Sequence, residues 1–317
     1  MSPGDSRRLI VGLLVLGLTA VLAATGLGID YALGQVVFVA TYAIAGLGVI
    51  LVVGQSGQIS LGQGALLAIG AYAQTLLVVR GVPAIVAIPA AVALAAAGGW
   101  LASLPARRLG GLYFAMSTLA FALIVEELLT RWESMTHGAA GVSVPAFSLG
   151  GWAADSPPAQ AMVSMFALAL AWWCCHRWVE SRLGRAWRVV REDEVAAASS
   201  GIDVARAKSR AFVVGGGLSG LAGALHAHWI GFVSPEQFGL LLSFELLMLA
   251  FIGGARRLSG AWWGALVIVA IPQAIALGRD ALPAEFARSA GLEALLFGAV
   301  IVAVILFRPQ GITGRSS

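Results

Sequence analysis

The chain has 317 residues, of which 59% are hydrophobic and only 11% are charged. A soluble domain carries about 25% charged residues, so the composition excludes a water-soluble globular fold and fits a bilayer as solvent. The net charge of +4 does not indicate nucleic-acid binding, because the basic residues lie at the ends of apolar segments. The sequence therefore predicts an all-α, polytopic membrane protein.

Ten apolar segments are candidate membrane spans. In chain order they lie near 9–27, 34–53, 62–79, 84–104, 111–130, 159–177, 210–230, 240–254, 261–278 and 290–307. The first follows Arg7 and Arg8 and is interpreted as an uncleaved span, because its apolar run is long for a signal peptide. The eighth is short, which indicates an oblique or broken helix.

The distribution of basic residues predicts the orientation of these spans. With the N-terminus in the cytoplasm, four of the 20 Lys and Arg residues fall outside and the other 16 fall inside. The four are Arg80, Arg131, Arg279 and Arg288. This positive-inside asymmetry predicts cytoplasmic termini. Residues 1–317 then form a single transmembrane domain with an outer loop at 131–158 and a large inner loop at 178–210.

No motif for catalysis, nucleotide binding or metal binding is present in the sequence. A phosphate-binding loop needs a lysine after glycine, whereas the one lysine, Lys208, follows Ala207. Cys174 and Cys175 are adjacent and do not have the spacing of metal ligands. We therefore expect neither enzymatic activity nor a cofactor in this chain.

A glycine-rich stretch, GQSGQISLGQG, separates the second and third spans at 54–64. It is either a plain turn or a break in the helices that packs beside a transport pathway, since transporters use interrupted helices there. Its neutral polar side chains, assigned to the pathway, are Gln55, Ser56, Gln58, Ser60 and Gln63. Glu245 joins them because an ionisable residue at membrane depth pairs with a neighbour, is protonated or faces a water-filled path.

The polar stretch at 178–210 predicts a short surface helix that inserts into a partner protein. Trp187, Val190, Val195 and Ala198 recur at roughly helical spacing beside charged residues. Gly201 ends this run and Asp203 has the position of a helix cap. A solvated loop of basic residues would need neither the tryptophan nor the glycine stop, so groove insertion is favoured.

These residues resemble a known family, the LivM-type permease subunits of branched-chain amino acid ABC transporters. The resemblance extends from about Tyr42 to Gly311 and is carried by four segments, 54–77, 108–129, 183–239 and the C-terminal FRPQGI at 307–312. It implies a permease fold of the type II ABC importer kind. It also implies a coupling helix that engages an ATPase, although a strict Glu-Ala-Ala triplet is absent. The implied coupling residues are Arg185, Arg188, Arg191, Glu192, Asp193, Glu194, Ala196, Ala197, Gly201 and Asp203.

The resemblance further implies a complex in the bacterial plasma membrane. Its other members would be a LivH-type permease, two LivG/LivF-like ATPase subunits that hold ATP and Mg²⁺, and an external substrate-binding protein near the 131–158 loop. Three alternatives remain open at this stage. The first is a permease of the same fold for urea, short amides or other small solutes. The second is an ion-coupled secondary transporter, which would need paired intramembrane carboxylates. The third is an intramembrane enzyme, for which the sequence contains no catalytic constellation.

Overall fold

The computed structural model describes residues 30–279, apart from 108, 150–151 and 155, together with 298–299, 302–303, 306 and 311–313. The predicted span at 9–27 lies outside the described residues. Of the predicted span at 290–307, the structure describes only a few positions. The prediction of ten spans therefore stays a prediction. What the structure describes is a helical bundle.

The helices follow one another along the described chain with short connections. They are α1 (Asp30–Val49), α2 (Gln63–Val79), α3 (Ala84–Ser103), α4 (Gly111–Arg131), α5 (Glu133–Thr136), α6 (Pro157–Glu180), α7 (Arg182–Glu192), α8 (Glu194–Ser199), α9 (Val204–Ile230), α10 (Leu240–Gly253) and α11 (Ser259–Arg279). Four two-residue strands accompany them: β1 (Val142–Ser143), β2 (Ser148–Leu149), β3 (Trp152–Ala153) and β4 (Phe232–Val233).

Five of the described helices are long and apolar enough to cross a membrane by length and composition. They are Tyr31–Gln55, Ala84–Ala106, Gly111–Arg131, Pro157–Glu180 and Pro235–Gly253, and two shorter apolar helices cover Gln63–Val79 and Ser259–Gln273. All seven coincide with predicted spans. The predicted span at 210–230 lies inside α9, which begins six residues earlier because Asp203 accepts a hydrogen bond from the backbone N–H of Arg206 at 2.9 Å.

Small residues let α9 pass close to its neighbours in the middle of the bundle. A Cβ on Gly216 would lie 2.7 Å from the carbonyl oxygen of Ala95 in α3, and one on Gly70 in α2 would overlap the backbone of Gly220. Contacts this short exclude any side chain, so they bring helix backbones together as small residues do in membrane bundles. The glycine content of the sequence is therefore used largely for packing.

At one end of the bundle, the loop predicted to face outward, 131–158, is joined by backbone pairing to the turn after α9. β1, from the 131–158 loop, pairs antiparallel with β4, from the turn after α9. His228 fastens the same region, with Nδ1 3.0 Å from the carbonyl oxygen of Pro145 and Nε2 2.9 Å from Gln74 Nε2. A carbonyl only accepts, so Nδ1 carries the proton and Nε2 accepts from Gln74. The 131–158 loop is thus held at defined points.

Candidate functional site: the 178–210 segment and the glycine-rich turn

The last turn of α1 widens into a π-helix, Ile50–Gln55, at the start of the glycine-rich stretch. Every residue of this turn is buried. A Cβ on Gly54 would overlap the carbonyl oxygen of Ala255, which follows α10, so only glycine fits there. A π-turn is a local departure from α-geometry that often marks functional positions.

The five polar side chains assigned to the pathway lie in the glycine-rich stretch at 54–64 and are packed against the protein. Each is at most 5% exposed. Gln55 Nε2 donates to the carbonyl of Arg256 at 3.0 Å, and the hydroxyl of Ser219 donates to Gln63 Oε1 at 2.9 Å. The remaining bonds are local: Ser56 Oγ donates to the Val52 carbonyl, Gln58 Nε2 donates to Ser56 Oγ, and Ser60 Oγ accepts from Gly62 N–H.

The start of α2 lies inside the bundle and is capped by other helices. Thr118 Oγ1 in α4 accepts from the N–H of Leu61, and Ser243 Oγ in α10 accepts from the N–H of Gly64, each at 3.0 Å. A helix start without water needs such acceptors for its free N–H groups. Two buried polar atoms of the turn, Gln58 Oε1 and Gln63 Nε2, have no hydrogen-bond partner among the described residues.

Glu245, the sixth residue assigned to the pathway, lies apart from the other five. Ser243 faces α2, whereas Glu245 faces α1, where the hydroxyl of Tyr42 lies 3.4 Å from Glu245 Oε2. The structure therefore separates the predicted pathway residues into a packed turn and a second location on the other side of α10.

The polar segment at 178–210 folds into α7, α8 and the first turns of α9. Ser181 caps α7 by accepting from the N–H of Leu183. Trp187 is completely buried, and its indole N–H donates to the carbonyl of Ala207 at 2.8 Å. Val190 is buried beside it. The tryptophan thus fastens α7 to α9, so the segment has a fixed place on the bundle.

Arg191, at the end of α7, binds the glycine-rich turn. Its Nη1 donates to the carbonyl oxygen of Gly54 at 2.7 Å, across 137 residues of sequence. Gly57 has a φ of +74°, and a Cβ there would lie 2.7 Å from Arg191 Cγ, so glycine is needed both for the backbone and for the arginine. Burial, together with the nearby guanidinium of Arg256, lowers the pKa of Arg191. An arginine so placed remains protonated at neutral pH.

The short helix α8 forms an exposed tip. Asp193 caps it by accepting from the N–H groups of Val195 at 2.7 Å and Ala196 at 3.0 Å. Val195 is 80% exposed, whereas Ala197 is fully buried against the bundle. Gly201, with a φ of +79°, follows the helix as predicted.

The rough amphipathic pattern of Trp187, Val190, Val195 and Ala198 is divided between two helices, α7 and α8. Trp187 and Val190 are buried, but Val195 and Ala198 are exposed. The reason is that the helix is interrupted at Asp193. This residue has extended backbone (φ −156°) and caps a new helix, α8. The exposed apolar surface therefore belongs to α8 alone.

Most of the other implied coupling residues hold the segment together. Arg185 and Arg188 donate to the backbone carbonyls of Glu180 and Val179, each at 3.1 Å. Glu194 pairs at 2.7 Å with Lys208, whose side chain is only 4% exposed. Sequence reasoning did not identify Lys208, Trp187 N–H or Arg256 as parts of this site. The one available signal was that Lys208 is the only lysine of the chain.

Comparison with known proteins shows what kind of protein carries this arrangement. Residues 31–305 match the family model described as branched-chain amino acid transport system / permease component. The chain belongs to this family. It is a membrane-embedded permease component of a transport system and not an enzyme.

Individual relatives agree with the family match. The chain is 33% identical to the high-affinity branched-chain amino acid transport system permease protein LivM of Escherichia coli K12, over 86% of this chain and 67% of the relative. LivM of Salmonella typhimurium is similar to the same extent. LivH of Escherichia coli K12, a second permease protein, is 27% identical over 87% of this chain and 92% of the relative. No solved structure matches the chain.

Proposed function

We propose that this permease subunit moves branched-chain amino acids inward by alternating access, driven by ATP hydrolysis on separate subunits. The names of the relatives support the solute class. The observation that carries the mechanism is the hydrogen bond between Arg191 and the Gly54 carbonyl, which joins the 178–210 segment to the end of a membrane helix. A displacement of α8 by the ATPase would then be transmitted through α7 to α1 and α2.

The ATPase is proposed to bind the exposed tip, α8. Val195 offers an apolar side chain that is 80% exposed, framed by Glu192 and the exposed Ala196 and Ser199. A short helix with small residues and one protruding apolar side chain suits a groove on a partner protein. Asp193, Gly201 and Asp203 set the two ends of this helix and the start of the next.

In the complete transporter, this chain would contact three kinds of protein partner and the membrane lipid. A LivH-type permease would form a heterodimer with it, two LivG/LivF-like ATPase subunits would hold ATP and Mg²⁺, and a substrate-binding protein would dock outside. Membrane lipid would surround the rest. The joined 131–158 and 231–239 segments offer a defined surface for the binding protein, because β1 and β4 tie them together.

We place the complex in the bacterial plasma membrane, with 178–210 and both termini in the cytoplasm. Positive-inside asymmetry supports this orientation. The geometry agrees with this orientation, because three segments predicted to face the cytoplasm meet at the same end of the bundle. They are the 54–62 turn, the residues after α10 and the 178–210 segment. Arg191 binds the carbonyl of Gly54, and Gly54 packs against Ala255.

Transport by the purified complex in proteoliposomes tests the proposal. The chain is reconstituted with its partner permease, the ATPases and the binding protein, and uptake of radiolabelled leucine is measured with and without ATP. Urea and acetamide are tested in parallel. ATP-dependent leucine uptake is the expected result.

Two results would contradict the proposal. Uptake of urea or acetamide in preference to leucine would assign another solute to the same architecture. Uptake by this chain without ATPase subunits, driven by an ion gradient, would show a secondary transporter.

A further inference from the structure

A cleft of about 250 Å³ opens between α1, α10 and α11, away from the packed glycine-rich turn. Its wall carries both polar and apolar side chains. The polar ones are Gln35, Tyr42, Glu245 and Gln273, and the apolar ones include Phe38 and Val269. This mixture of a few polar groups on an apolar wall is typical of small-molecule sites.

Within the part of the chain that the structure describes, no cationic side chain pairs with the carboxylate of Glu245 in this cleft. Glu245 is the sixth residue of α10, about 12 Å along the helix from Gly253 at 1.5 Å per residue, so it lies at membrane depth. Among the residues that the structure describes, its one polar partner is the Tyr42 hydroxyl, at 3.4 Å. No ion pair within the described ranges includes it. A charge at this depth is costly unless something neutralises it.

We propose that the cleft binds the ammonium end of an amino-acid solute, with Glu245 as its counter-ion. This proposal rests on the proposed function and names the site where the solute is held. Tyr42 lines the same cleft, and its hydroxyl lies 3.4 Å from the Glu245 carboxylate, where it offers a second polar contact to the bound ammonium group. The apolar wall at Phe38 and Val269 receives the branched side chain.

The contrast between the glycine-rich turn and the cleft supports the assignment of Glu245 as the counter-ion of the solute. The glutamines and serines of the glycine-rich turn are at most 5% exposed and bonded to the protein, so they offer no space to a solute. Glu245 is partly exposed and faces an open volume. A neutral amide such as urea has no ammonium group, so Glu245 also provides selectivity for amino acids over the solutes of the alternative function.

Cysteine protection in the complete transporter tests the proposal. Replacing Cys174 and Cys175 by alanine removes both native thiols. Val269→Cys then places a reporter on the cleft wall, and its rate of maleimide labelling is measured in proteoliposomes whose lipids carry no primary ammonium group. The probes are leucine and 4-methylpentanoate, which lacks the ammonium group but keeps the carbon chain and the carboxylate.

We expect leucine to slow labelling of the reporter and 4-methylpentanoate to have no effect. Glu245→Gln in the same background should raise the leucine concentration for half-protection about tenfold or more, because the ammonium group then meets an uncharged amide instead of a carboxylate. Leu266→Cys, on an exposed position of α11 outside the cleft, serves as the control and should label equally with every probe.

Three other outcomes would each contradict a different claim. Equal protection by both probes would overturn the role of the ammonium group, and no protection by leucine in a transporter that imports leucine would overturn the site. The comparison of the two probes needs no change at Glu245, so it holds even where Glu245→Gln fails to fold. A transporter that does not import leucine at all would instead contradict the proposed function.

Discussion

Two polar regions of this bundle contain residues of similar chemistry and use them differently. In the turn at 54–63, the neutral polar side chains are buried and most of their polar atoms are bonded to the protein. In the cleft between α1, α10 and α11, a carboxylate faces open space and lies 3.4 Å from the hydroxyl of Tyr42. The first arrangement joins structural elements, and the second leaves capacity for a ligand.

A glycine-polar motif in a membrane protein therefore does not by itself indicate a solute path. Gly54 and Gly57 are needed because Ala255 and Arg191 occupy the space of their side chains. The polar residues between them satisfy a backbone that leaves the helical pattern inside the protein. The turn is therefore a joint between the 178–210 segment and the membrane helices.

The largest effect is expected from adding one carbon atom at this joint. Gly54→Ala forces the carbonyl of Ala255 aside, and overpacking of this kind costs about 1–3 kcal/mol or more. Thermal denaturation of the purified protein in detergent measures the loss. Gly217→Ala is the matched control, because its Cβ would lie 3.4 Å from Val92, an ordinary contact. Equal stability of the two variants would show that the joint is not tightly packed.

Arg191→Ala is expected to disconnect the ATPase from transport while leaving the bundle folded. It removes a charged hydrogen bond, which contributes about 1.5–3 kcal/mol. Leucine uptake in proteoliposomes should fall about tenfold or more, whereas ATP hydrolysis by the bound ATPases should persist. Arg80→Ala, at an exposed arginine that follows α2, is the control and should transport normally. Unchanged uptake by Arg191→Ala would exclude transmission through this bond.

A smaller effect is expected at the cap of α8. Asp193→Ala removes the acceptor for two backbone N–H groups, at a cost of about 1 kcal/mol. The affinity of the ATPase for the permease pair, measured in detergent, should fall about fivefold. Asp193→Asn keeps a capping oxygen and should bind almost as well as the native chain. If asparagine and alanine weaken binding equally, charge and not capping is what the ATPase recognises.

Much of this architecture could be predicted from the sequence, because apolar runs of membrane length determine helices almost regardless of context. Seven predicted spans coincide with apolar helices, and Gly201 and Asp203 have the predicted local roles. Local patterns did not reveal that Asp193 interrupts the helix, because both sides of it have high helical propensity.

The site could be predicted only in part, since its main contacts join distant parts of the chain. Nothing near Gly54 in sequence indicates Arg191, and nothing near Glu245 indicates Tyr42. Such pairs depend on how helices are arranged, which a single sequence does not show. The candidate residues were therefore identified by type, while their division into a joint and a cleft came from the structure.

The most direct test of the account is a cross-link between the tip of α8 and the ATPase. In the chain without native cysteines, Val195→Cys carries a short thiol-reactive photo-cross-linker in the complete transporter. We expect a cross-link to the ATPase subunit, and none from Trp173→Cys, an exposed position on α6 within a membrane-length helix. Leucine transport that proceeds with ATP while the tip never cross-links to the ATPase would contradict the account.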